Sequence, residues 1–294
     1  MATFTSYDMV GKKEDVSDVI TNISPTKTPF TSLTGSEGIS QILHQWQEDA
    51  LNAVTQNSQV EGALAVTATA VPTTMRQNNT QIMMDTASVS GTADVVKTYG
   101  RDKELAYQLA KKAAQLKRNL EYAMVGTGQT AVLGNDATAR VMAGYQAQLD
   151  PSVVQTVDSM PLTETLLLNT LETLFINGAE PDNIMLKPSD STKVAAFQLS
   201  AGRTKYIENS DKKVVNVVDV YVSPFGEQKV TINRFQRMSD CLVFEAAMWK
   251  RLTLRNWFRE TLAKVGDSTQ VQIVGEFSLK HKNYFASGLI TGLS

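Results

Sequence analysis

Apolar residues recur at helical spacing in one long stretch of this chain and alternate at strand spacing in several shorter ones. The clearest signal covers residues 101–125. Leu105, Leu109, Leu116, Leu120 and Met124 fall on one face, joined there by Ala113 and Ala123. Lys112, Gln115 and Arg118 occupy the other side, Gly100 precedes the run, and Gly126 and Gly128 follow it. A helix of that length spans roughly 37 Å. A single apolar stripe on so long a helix predicts that it lies across a sheet. A second helix is predicted from Pro161 to Asn177, with Leu162, Leu166, Leu171, Leu174 and Phe175 as its apolar face and Asn177-Gly178 as its stop. Asp182–Pro188 reads as a short buried strand. Ser189 or Asp190 then caps a third helix carrying Val194, Ala195, Ala196 and Phe197.

The rest reads as strand, arm or loop. Val214, Val215, Val217, Val218, Val220 and Val222 predict a β-branched strand. Pro224-Phe225-Gly226 predicts a turn, and Val230 and Ile232 the return strand. Leu242-Val243-Phe244 and Val271–Leu279 are further strands. Upstream, alternation around His44, Trp46 and Glu48 and a second run from Gln81 to Val89 predict a long two-stranded excursion with a polar tip. A free-standing ribbon is marginally stable, so this one is expected to be covered by partners. Residues 126–160 read as loop. At the start, Val16, Val19, Ile20 and Ile23 suit two amphipathic helical turns. The prolines of Ile23-Ser24-Pro25-Thr26-Lys27-Thr28-Pro29-Phe30 then favour extended chain. So apolar-poor an arm is expected to lie on another surface, such as a neighbouring subunit.

Composition narrows the possibilities. With 294 residues, 42% hydrophobic and 20% charged, the chain can bury an ample core. Its 28 basic and 30 acidic residues nearly balance, which removes any bulk attraction to nucleic acid or an anionic membrane. A lone cysteine, Cys241, excludes an internal disulfide and sits in an apolar run, where it reads as a small buried hydrophobe. Neither a signal peptide nor a membrane-spanning stretch is predicted, so synthesis in the cytoplasm is expected.

Candidate chemistry is sparse. The two histidines, His44 and His281, lack partners at zinc spacing and read as solvated surface residues. Gly126-Thr127-Gly128 follows a helix rather than a strand and is better explained as helix termination than as a phosphate loop. Asp15 with Asp18, or Asp85 with Asp94, has no pocket to make it a catalytic carboxylate pair. No catalytic, cofactor-binding or metal site is assigned, and the chain is expected not to be an enzyme. Lys111, Lys112, Lys117 and Arg118 on the long helix could meet nucleic-acid phosphates. They read more simply as a solvated face offset by Glu104 and Glu121.

The order of parts resembles one family. Arm, β-excursion, long helix, α/β lobe and β-rich return follow the α+β fold of tailed-bacteriophage major capsid proteins and encapsulins, the Hong Kong ninety-seven type. Two runs sharpen the likeness, Ile23–Phe30 and Leu262-Ala263-Lys264-Val265-Gly266-Asp267-Ser268 followed by Glu276-Phe277-Ser278-Leu279 and Asn283. Both resemble major head proteins of certain podoviruses with elongated heads. The resemblance implies an N-terminal arm at 1–38, an extended E-loop at 39–97 and a peripheral domain at 98–160 containing the spine helix 101–125. It further implies an axial domain at 161–240 and a return to the peripheral domain at 241–294. It implies pentamers and hexamers of the chain itself, a virion shell assembled in the host cytoplasm, and weak non-specific contact with packaged DNA. Portal, scaffolding and decoration proteins are further implied partners, with scaffolding as a separate protein or absent. An encapsulin-like compartment is the alternative, and a soluble enzyme the more distant one.

Overall fold

The computed structural model describes residues 24–65, 70–100, 102–200 and 220–294. The predicted turns at 16–23 and most of the valine-rich strand before Val220 lie outside these residues. In chain order the helices are α1 (Pro29–Leu33), α2 (Gly91–Val95), α3 (Glu104–Val125), α4 (Glu164–Ile176) and α5 (Pro188–Ser200). The early strands are β1 (Gly35–Gly38), β2 (Leu43–Glu48), β3 (Thr74–Asn79), β4 (Gln81–Ser90) and β5 (Val154–Met160). Then come β6 (Asn183–Leu186), β7 (Val220–Ser223), β8 (Gly226–Ile232) and β9 (Cys241–Phe244). The last are β10 (Trp249–Thr261), β11 (Ser268–His281) and β12 (Ser287–Leu293).

Two sheets and a ribbon organise these parts. One four-stranded sheet has the order β1-β10-β11-β4, and α3 packs across β4 and β11. A six-stranded mixed sheet has the order β5-β12-β9-β6-β8-β7, with α4 packed on β12. Among the described residues, β2 and β3 pair only with each other. The spine helix matches its prediction within a turn. Its C-terminal half supplies Leu116, Leu120, Ala123, Met124 and Val125 to the core. In α4, the Thr163 side chain accepts from the Leu166 N–H, and the N–H groups of Gly178 and Ala179 close the far end on Phe175 and Leu174.

Several expectations are corrected. The strand pairing with β2 is 74–79, whereas 81–90 runs antiparallel to β11 from Phe277↔Gln81 to Ser268↔Ser90. The hand-over happens at Asn78-Asn79-Thr80, where the side chains of Asn78 and Thr80 bond other segments rather than stacking on a ribbon. Residues 126–160 are not all loop, since β5 pairs in parallel with β12. Pro29–Leu33 is helical rather than extended, with proline in the first turn, where its missing N–H costs nothing. Proline also opens α5, and Asp190 is not a cap. It is fully buried in the first turn, 2.8 Å from Lys193 and 3.6 Å from Lys187. At the turn joining β10 to β11, Gly266 has φ of +85°, a left-handed conformation suited to glycine. Gly292 has φ of +83° and lies against the Val157 carbonyl, so no side chain fits where β12 shifts register on β5.

Candidate assembly surfaces and their anchors

The ribbon's tip and root differ sharply. Along the tip Leu51 is 99% exposed, Val54 103%, Val60 79% and Leu64 92%. The run between β2 and β3 is therefore not simply polar: it presents isolated aliphatic side chains to solvent in a Gln-, Asn- and Thr-rich context. At the root, β2 and β3 pair in register from Leu43↔Asn79 to Glu48↔Thr74. Arg76 Nε lies 3.1 Å from Glu48 Oε2, and the same oxygen accepts from the Tyr284 N–H at 3.2 Å. The Glu48 hydrogen bond raises the guanidinium pKa further above its ordinary value. Fully buried Asn78 donates to the carbonyls of Ala143 and Leu279 at 3.2 and 2.6 Å and accepts from the Ala143 N–H at 2.8 Å.

From that root a stack of rings runs into the core. The Arg76 guanidinium sits 4.1 Å over the Tyr284 ring. Tyr284 stacks on His281 at 5.8 Å, His281 on Trp249 at 4.0 Å, and Trp249 on Tyr145 at 4.6 Å. His281 is fully buried, which corrects its reading as a surface residue. Its Nδ1 meets the Gln148 carbonyl at 2.8 Å and its Nε2 meets Ser287 Oγ at 3.0 Å, while Trp249 Nε1 donates to the same hydroxyl at 2.9 Å. Donation from Nδ1 and acceptance at Nε2 is the arrangement of a neutral ring. Burial accordingly lowers its pKa to about 3. His44 is half-buried against Trp46, and burial lowers its pKa too.

The arm is bolted to the same core. Phe30 is fully buried with its ring edge-on to Phe244, Trp249 and Tyr145 at 5.5, 5.7 and 6.0 Å. Its N–H donates to Glu121 Oε1 at 2.7 Å, and the Thr31 N–H donates to Oε2 at 2.8 Å. Asn233 Nδ2 donates to Oε1 at 2.7 Å, and the Thr31 hydroxyl also donates to this carboxylate. Glu121 is therefore no solvated charge but a buried clamp on the spine helix. Its signal in the sequence was indistinguishable from a surface Glu.

A second buried carboxylate, Glu276 on β11, joins three segments. It pairs with Arg140 at 2.6 Å and Arg255 at 2.9 Å and accepts from Thr80 Oγ1 at 2.7 Å. The basic row of the spine helix divides: Lys112 pairs with Asp85 at 2.9 Å and Arg118 lies over Phe235, whereas Lys111 and Lys117 are exposed. Cys241 is buried, and burial pushes its thiol pKa up, away from reactivity. Among the described residues no cluster of His, Cys, Asp or Glu could hold a metal ion, and no helix is long and apolar enough to cross a membrane. The arrangement is that of joints and presented surfaces, and the described residues bring together no constellation for acid–base or nucleophilic chemistry.

Comparison with known proteins agrees. The family model for the SU10 major capsid protein matches residues 2–294. The chain is 32% identical to the major capsid protein of Escherichia phage Phieco32, across 98% of this chain and 96% of that one. Among solved structures it superposes on the capsid asymmetric unit of cyanophage A-1(L) with a TM-score of 0.69 at 12% identity, covering 98% of each chain. The capsid protein of cyanophage P-SCSP1u gives 0.65 at 12% identity, over 99% of this chain and 95% of that one. An encapsulin from Synechococcus elongatus PCC 7942 gives 0.62 at 10% identity, over 94% and 93%. The encapsulin likeness is one of fold alone, while the sequence relationship runs to the phage proteins. The chain belongs to the SU10 major capsid protein family and is a structural, non-enzymatic component of a phage capsid with the Hong Kong ninety-seven-type fold.

Proposed function

We propose that this subunit forms pentamers and hexamers that close into a phage head around double-stranded DNA, assembling in the host cytoplasm. In this reading the segment 39–97 carries an E-loop, its β2–β3 ribbon, that lies over a neighbouring subunit; 98–160 and most of 241–294 form the peripheral domain; and 161–240, joined in one sheet by β5, β9 and β12, form the axial domain. The observation that carries it is the ribbon tip: four aliphatic side chains held in water beyond a tightly bonded root. Burying each against a partner is worth roughly 1.5–3 kcal/mol, repeated at every subunit contact. Exposed Lys111 and Lys117 support weak, salt-sensitive contact with packaged DNA. Portal, scaffolding and decoration proteins are the further partners of a head built this way.

The test replaces tip residues in the full chain, Leu51→Asp with Val54→Asp. Size-exclusion chromatography and negative-stain electron microscopy should show shells, tubes or rings for the native chain. The variant should give soluble subunits with an unchanged melting temperature. Variant shells as abundant as native ones would remove the ribbon from assembly. Native particles filled with a protein cargo instead of nucleic acid would favour the encapsulin-like reading.

A further inference from the structure

Cations gather along one side of the spine helix with no acid to offset them. On α3, Lys111, Gln115, Arg118 and Tyr122 recur at spacings of four, three and four, which sets them within about 60° of one another around the axis. No Asp or Glu lies between Leu105 and Leu120. The segment 233–239, between β8 and β9, crosses the C-terminal end of that row. Its Arg237 N–H donates to the Val125 carbonyl at 3.3 Å, and its Phe235 ring lies 5.5 Å from the Arg118 guanidinium. This segment also lacks acids, and it adds Arg234 and Arg237, both exposed. Lys111 is exposed and Tyr122 is 51% exposed, while Arg118 is half-buried with its Nε unpartnered. Among the described residues, none of Lys111, Arg118, Arg234 and Arg237 makes an ion pair.

We infer that Lys111, Arg118, Arg234 and Arg237, with the Tyr122 hydroxyl, form a site for the phosphate backbone of duplex nucleic acid. The inference rests on the reading of the chain as the wall of a DNA-filled head, and it names the residues that make the contact. Charge leads there first. The chain as a whole carries a formal net charge of -2, so any attraction to phosphates has to come from a local cluster, and this one has no carboxylate to neutralise it. Length agrees. Lys111 to Tyr122 spans about 17 Å of helix axis, and a duplex of that length carries about ten phosphate charges, so several are met at once. The chemistry agrees as well. A guanidinium resting on an aromatic ring is held in place without losing its charge. The tyrosine hydroxyl can donate to a phosphate oxygen, and contacts of this kind carry no sequence information. An acidic peptide is served less well, because the row on α3 offers no aliphatic pocket to anchor apolar side chains.

The salt dependence of binding tests this. Soluble full-length subunits, separated from particles by size exclusion, are titrated against a fluorescein-labelled duplex of random sequence, and anisotropy is read over a series of salt concentrations. Four cations predict a slope of log K against log salt of about −3.6. Lys111→Gln with Arg237→Gln, both at exposed positions, should keep the native melting temperature, reduce the slope by about 1.8 and weaken binding at the lowest salt at least tenfold. The control is Lys229→Gln with Lys264→Gln, which removes the same charge from exposed positions on β8 and in the β10–β11 turn and should leave the slope within about 0.5 of native. An equal loss in the control pair would make the attraction diffuse and overturn the site. So would native binding too weak to detect, or an unchanged slope in the Lys111/Arg237 pair. Polyglutamate of matched charge should compete poorly; if it binds as tightly as the duplex, the partner is an acidic protein and the assignment to nucleic acid falls. The assay reads dispersed subunits, whereas the assembly test reads particles, so either can fail without the other.

Discussion

Single buried polar residues hold the joints of this subunit together. Glu121 is surrounded by donors from the arm and from Asn233, and truncating it leaves several of them buried without an acceptor. Glu121→Ala should therefore cost about 3 kcal/mol, read as a lowered urea midpoint of the soluble subunit. His281 works in the opposite sense, by staying neutral. Its pKa of about 3 in the fold lies below the ordinary 6.5. The unfolded chain therefore binds a proton that the folded one refuses between those values. Stability from this group is complete above about pH 6.5 and is lost as pH falls towards 3, by roughly 1.4 kcal/mol per pH unit. His281→Gln should be less stable than the native chain at neutral pH, and its deficit should shrink as the medium is acidified to about pH 4. Other titrating groups act on both proteins alike, so a deficit that stays constant with pH would show that His281 does not couple protonation to folding.

At the scale of elements, the arm is the part whose role the structure changes most. Its last residues are not laid on a neighbour: Phe30 is a core residue of its own subunit, packed edge-on among three rings. Phe30→Ala should cost about 3–5 kcal/mol and lower the thermal midpoint far more than Ser32→Ala, whose hydroxyl bonds only the nearby Thr28 carbonyl on the surface. The same elements explain what could be read beforehand. The spine helix announced itself because its apolar residues keep one period over 22 residues. Strand β10 did not, because register shifts at Thr253/Arg255 and Arg255/Phe258 break the two-residue alternation and its outward positions are charged. β3 was missed because Thr-Met-Arg-Gln-Asn-Asn earns its place through side-chain hydrogen bonds and a stacked arginine rather than through an apolar face. Likewise Glu121 and His281 resemble surface residues in sequence. Only contacts across 91 and 133 positions, to Phe30 and Gln148, bury them.

Across the whole molecule, one line of side chains joins the parts that face partners to the parts that carry the fold. It runs from Arg76 on the ribbon through Tyr284, His281, Trp249 and Tyr145, with Phe30 of the arm set against its inner end. The ribbon root is thereby tied to the core, while the aliphatic side chains of its tip are exposed. A tip that must find a neighbour binds best when its direction is set in advance, since a wandering ribbon loses that freedom at each contact. Arg76→Ala removes the ion pair with Glu48 and the outermost member of the stack but leaves every tip residue intact. Because Arg76 is partly exposed and buried Glu48 keeps the Tyr284 N–H, the subunit should remain folded, with a modestly lowered melting temperature. Assembly should suffer instead: the protein concentration needed for half-maximal particle formation, followed by light scattering, should rise several-fold. Arg76→Lys should restore the charge pair without the flat guanidinium over Tyr284 and fall between the two. If Arg76→Ala assembles at the native concentration, the tip finds its partner without guidance from the root, and the ring stack serves the subunit's own stability alone.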